Sequence, residues 1–102
     1  MPRSDPQQKV LDALKTVFDP EIPLNVVDLG LIYDVAFEEN TVLIEMTLTA
    51  VGCPMAQQIQ DAAITAVEAL DEIKSAQVKL VWEPRWSPER ITEAGRLELG
   101  ML

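Results

Sequence analysis

The chain carries a single thiol, Cys53, set between Gly52 and Pro54. If a helix opens at Pro54, which suits a first helical position, Cys53 becomes its N-cap residue. The amide groups and partial positive charge of a helix start favour thiolate over thiol. Thiolate is the form that binds soft metals and attacks electrophiles. Gly52 leaves no side chain in the way of the sulfur, and Thr47 and Thr49 lie just upstream. The plain alternative is a small buried hydrophobe, the usual fate of a lone cysteine.

Two further groups could do chemistry. Asp19, Glu21 and Asp28, with Asn25 among them, sit in a stretch broken by Pro20, Pro23 and Gly30. Carboxylates off regular structure can converge on a metal or orient another group. They can equally end a helix (Asp19) or make a local turn bond to backbone (Asp28). Arg85 and Trp86 lie between Pro84 and Pro88, where no regular element can run. Trp86 is either a surface contact point or a cover over an open sheet end.

Composition removes other schemes. There is no histidine, so Ser-His, Cys-His and His-metal arrangements are out. One cysteine excludes an internal disulfide. A net charge of -9, from 17 acids against 8 bases, repels phosphate backbones and argues against nucleic acid. No apolar run reaches the ~20 residues of a membrane span, and Met1 to Asp5 lacks a signal peptide's apolar region. The expectation is one cytoplasmic domain over residues 1–102, with 48% hydrophobic residues available for a core.

The elements that must position these groups read as follows. Asp5 caps a first helix, with Pro6 in its first turn; Val10, Leu14, Val17 and Phe18 fall on one face. Asp19-Pro20 ends it, and residues 19–30 are irregular. A strand from Leu31 puts Leu31, Tyr33, Val35 and Phe37 on one face, and Ile32, Asp34, Ala36 and Glu38 on the other. After a turn at 38–41, with Asn40 suited to left-handed backbone, Val42, Ile44, Met46 and Leu48 alternate with Leu43, Glu45, Thr47 and Thr49. These two strands form an antiparallel hairpin. A second helix from Pro54 carries the stripe Met55, Ile59, Ala62, Ala63, Ala66, Val67 and Leu70. A third strand, 77–83, shows Val78, Leu80 and Trp82 on one face. Ser87 and Pro88 open a short last helix through Ile91, Ala94 and Leu97, which Gly95 weakens. The predicted fold is an α/β two-layer sandwich, helix-strand-strand-helix-strand with a short C-terminal helix. Its sheet is mixed and three-stranded, because a crossover through the second helix returns the third strand parallel.

Three motifs in this order resemble one family. They are Asp19-Pro20-Glu21-Ile22 with Asn25 to Tyr33; Met46-Thr47-Leu48-Thr49 with Gly52-Cys53-Pro54-Met55; and Trp82 to Ile91. Together they resemble the metal–sulfur cluster biosynthetic family, which includes SufT-like and PaaD-like proteins. The resemblance implies a role in iron–sulfur protein maturation, with Cys53 as the reactive cysteine. It also implies that Asp28 and the Thr47/Thr49 pair line the same pocket, and that the protein is a homodimer. Partners would be an iron–sulfur scaffold and client apo-proteins, and the lack of extra cysteines favours a general client range.

One thiol sets a limit. Iron–sulfur clusters usually take four thiolate ligands, one chain supplies one, and a symmetric dimer supplies two. The rest must come from small thiols, carboxylates such as Asp28, or a partner, so a cluster or iron would be held transiently and none firmly. Candidate cluster contacts are Cys53, Asp28, Thr47, Thr49 and Gly52; candidate partner contacts are Glu21, Asn25, Arg85 and Trp86. The alternative is a metal-free adaptor that docks clients through Arg85, Trp86 and the acidic surface. Helix-strand-strand-helix-strand order also suits a KH RNA-binding domain, but no Gly-x-x-Gly loop exists and the charge is wrong. A stand-alone enzyme is not expected, since Cys53 has no histidine base.

Overall fold

The computed structural model describes residues 5–19, 22–49 and 55–100. The elements are α1 (Asp5–Leu14), β1 (Ile32–Glu38), β2 (Thr41–Met46), α2 (Ala56–Glu68), β3 (Ser75–Leu80), a 3₁₀ turn (Pro88–Arg90) and α3 (Glu93–Glu98). The sheet order is β1-β2-β3. β1 runs antiparallel to β2 and β3 parallel to it, as the hairpin and the helical crossover require. α2 packs on β3 and α1 packs on α2, which completes the second layer.

The alternation of β2 sets the core. Val42, Ile44 and Met46 are fully buried, and their parallel partners Ala76, Val78 and Leu80 share their face. Val10 and Leu14 of α1 and Ile59, Ala63 and Val67 of α2 close over them. The irregular stretch is not a loose loop. Leu24, Val26, Leu29 and Leu31 are all buried, each contributing about 1.5–3 kcal/mol of apolar burial. Its backbone is tied by Val26 N–H to the Val17 carbonyl at 2.9 Å and Leu31 N–H to the Val26 carbonyl at 3.1 Å.

Several local expectations change. α1 stops at Leu14, and the Thr16 hydroxyl donates to the Ala13 carbonyl at 2.7 Å in the closing turn. Val17 stays buried, but Phe18 leaves the helical face; it forms an isolated bridge to Asn25 and is 58% exposed. In β1 the register shifts between Ile32 and Asp34. Such an extra residue resets the alternation, so Ile32, opposite Met46, faces the core side with Val35 rather than the outer side. The left-handed residue of the hairpin turn is Glu39, φ 59°, not Asn40. β2 and β3 end earlier than predicted, at Met46 and Leu80, and Trp82 is exposed. α2 begins at Ala56 with Met55 as N-cap and no side-chain cap. The helix therefore starts two residues beyond the predicted Pro54.

The C-terminal region is two short elements. Ser87 and Pro88 open the 3₁₀ turn as expected, and Thr92 then caps α3 by accepting from the Gly95 N–H at 3.0 Å. Leu97 is exposed, while Ile91 and Gly95 are buried. A Cβ on Gly95 would meet Leu24 Cδ2 at 2.8 Å, Ile91 Cγ2 at 2.9 Å and the Asp28 carbonyl at 3.1 Å. Gly95 is thus the contact that lets α3 lie against the irregular stretch. Helix propensity alone would make Gly95→Ala stabilising by about 1 kcal/mol. The crowding reverses the sign, and urea unfolding of Gly95→Ala is expected to show a loss of about 1–3 kcal/mol.

Candidate functional site

The end of β2 supplies the floor of the site. Beyond Met46 the chain is buried on both sides: Thr47 is 1% exposed and Leu48 3%. The Thr47 N–H donates to the Leu31 carbonyl at 2.8 Å, but its hydroxyl has no partner among the described residues. An unsatisfied buried hydroxyl costs about 1–3 kcal/mol. Thr47, Leu48 and Thr49, with Trp82, Glu83, Arg85 and Trp86, line a cavity of about 390 Å³.

The far wall is the segment leaving β3, and two hydrogen bonds fix it. Trp86 Nε1–H donates to the Leu29 carbonyl at 2.7 Å, and the Tyr33 hydroxyl donates to the Pro84 carbonyl at 2.9 Å. Arg90 lies 4.8 Å over the Tyr33 ring, a favourable cation–π position. Trp86 is therefore half-buried with its polar edge used internally, close to the predicted cover over a sheet end. Trp82 and Arg85 are the more exposed members of this wall.

Asp28 belongs to a different arrangement. Its Oδ1 accepts from the Thr92 hydroxyl and its Oδ2 from Asn25 Nδ2, both at 2.9 Å. Its own N–H donates to Asn25 Oδ1 at 2.9 Å, and its carbonyl accepts from the Thr92 N–H at 2.8 Å. Asp28 is not among the described residues that line the cavity of Thr47 and Thr49, and both its carboxylate oxygens are engaged in clamping the 25–30 turn to α3. Asn25 works in the same clamp. Among the described residues no group of three or more Cys, Asp or Glu could hold a metal ion. Glu21, Gly52 and Cys53 lie outside the described residues, but the N-cap of α2 is Met55, so the expectation that Cys53 caps this helix is corrected.

The structure thus joins Thr47, Thr49, Arg85 and Trp86 around the cavity, and engages Asp28 and Asn25 in the clamp. Sequence reasoning passed over Thr92, Trp82 and Glu83. A threonine directly before Glu93 is an N-cap signal, so Thr92 was findable. Trp82 and Glu83 were hidden by the expectation that β3 continues through them.

Comparisons with known proteins bear on the family and the fold. Residues 7–80 match the family model described as iron–sulfur cluster assembly protein. The chain belongs to that family. It is 38% identical to the Fe–S protein maturation auxiliary factor YitW of Bacillus subtilis, over 93% of this chain and 94% of that protein. It is 37% identical to the maturation auxiliary factor SufT of Staphylococcus aureus, over 83% of this chain and 98% of that one. A crystal structure of a domain of unknown function from Bacillus anthracis superposes with a TM-score of 0.87 at 38% identity, covering 95% of this chain and 93% of that one. The resemblance read from the three motifs is borne out.

Two stability measurements test the assignments. Thr47→Val removes a buried hydroxyl that has no partner among the described residues and keeps the shape, so thermal or urea unfolding is expected to show an unchanged or higher stability, by up to about 1–2 kcal/mol. Thr92→Ala removes both the α3 cap and an Asp28 partner, with an expected loss of about 1–2 kcal/mol. A double-mutant cycle with Asp28→Ala should be strongly non-additive, since the two share one network.

Proposed function

We propose that this protein acts in the maturation of iron–sulfur proteins, with Cys53 making the contact to iron or to a cluster in transit. The observation that carries the reading is family membership joined to the cavity at the end of β2, whose floor holds a buried hydroxyl without a partner among the described residues. Cys53 follows Thr49 by four residues and precedes Met55 by two. At no more than about 3.6 Å per residue, the chain itself keeps its Cα within ~14 Å of Thr49. Relatives named as Fe–S protein maturation auxiliary factors cover nearly the whole chain, which supports a helper rather than a catalyst.

One cysteine per chain shapes the mechanism. Two copies bring two thiolates, and external ligands complete the coordination, so the cargo is held weakly and passes on readily. A homodimer, a scaffold and client apo-proteins are the partners this scheme requires. No described helix is long and apolar enough to cross a membrane.

Anaerobic reconstitution with iron and sulfide, read by visible absorption and by size, tests the proposal. The expected result is charge-transfer absorption that is lost in Cys53→Ala. Wild-type protein that stays colourless while still binding client apo-proteins would replace this reading with the metal-free adaptor.

A further inference from the structure

Of the three described arginines, two are occupied. Arg90 lies over the Tyr33 ring, and Arg96 donates to the Glu89 carbonyl at 3.1 Å. Arg85 makes no ion pair or side-chain hydrogen bond with another described residue, and neither does Glu83 two residues before it. Both line the cavity that Thr47 and Thr49 floor. In a chain of net charge -9, a guanidinium left unpaired among the described residues at the wall of a cavity is a site prepared for an anion. The unpaired Glu83 carboxylate beside it asks for a cation. One small group carries both charges a few ångströms apart, the α-amino-carboxylate of a free amino acid or of a peptide's γ-glutamyl end. The volume of about 390 Å³ accommodates such a molecule.

We infer that this cavity binds a low-molecular-weight thiol bearing an α-amino-carboxylate, with Arg85 on the carboxylate, Glu83 on the ammonium and Thr49 at the floor beneath them. The use of that thiol rests on the function proposed above, because the coordination that one cysteine leaves open needs external sulfur. On ligation the S–H bond breaks, its proton passes to water, and the sulfur lone pair forms the bond to iron, with no change of oxidation state. Binding itself needs no metal, so it can be tested apart from cluster handling.

The experiment is calorimetric and NMR titration of metal-free protein, under reductant, with L-cysteine and four analogues. L-cysteine and glutathione are expected to saturate, and S-methyl-L-cysteine to bind within threefold of L-cysteine, since recognition lies in the amino-acid end. Cysteamine, without the carboxylate, and 3-mercaptopropionate, without the ammonium, are expected to bind at least tenfold more weakly. Arg85→Gln and Glu83→Gln, both exposed positions, should each weaken L-cysteine at least tenfold while circular dichroism stays unchanged. No saturation by about 10 mM L-cysteine, a range far weaker than ordinary recognition, would overturn the inference. So would equal binding of all five compounds, or unchanged affinity in both variants. Colourless reconstitution with intact L-cysteine binding would sink the cluster reading alone; Cys53-dependent colour without binding would sink the thiol site alone.

Discussion

The Asp28 carboxylate is the tie on which the rest of the molecule depends. It holds Asn25 with one oxygen and Thr92 with the other, while its backbone carbonyl takes the Thr92 N–H. That set of bonds fastens an irregular, proline-interrupted stretch to a helix of six residues, neither of which would be stable alone. Gly95 lets the two approach to contact, and Leu24 and Ile91 fill the seam. Trp86 then anchors to the Leu29 carbonyl within the same turn. The closing segment 82–86 is thereby laid along the end of β2, and the cavity exists because of it.

Polar groups in this protein divide by whether the fold uses them. Asp28, Asn25 and Thr92 satisfy one another and stabilise the frame. Thr47, Arg85 and Glu83 do not: the hydroxyl is buried without a partner and the two charges are unpaired among the described residues. Arg96 Nε, which does not line that cavity, is also buried without a partner among the described residues; at the end of β2 such a hydroxyl and two unpaired charges line one cavity. That separation also explains why Asp28, an obvious ligand candidate by residue type, proves to be a structural clamp.

Much of the architecture was legible in the residues. The period-two pattern of Val42, Ile44 and Met46 and the stripe of Ile59, Ala63 and Val67 specify the sheet and its covering helix. The parallel third strand follows from the intervening helix. What was not legible depended on contacts distant in sequence. The shift at Ile32 and Asp34 arises from pairing with β2, and no local signal marks it. Phe18 continues the spacing of α1, yet the chain has already turned toward Asn25. Gly95 reads locally as a weak point and proves to be the packing contact. For the site, residue types singled out Arg85 and Trp86 and the family resemblance pointed to Thr47 and Thr49, but only the fold could show both Asp28 oxygens engaged in the clamp.

The central claim is that the cavity at the end of β2 serves iron–sulfur protein maturation and not folding. Its most direct measurement is the activity of an iron–sulfur enzyme in cells whose only copy of this protein is Thr47→Val, with the amount of the variant protein measured alongside. The account predicts reduced enzyme activity, restored by the wild-type gene, at an undiminished level of the variant. Full enzyme activity in those cells would contradict it.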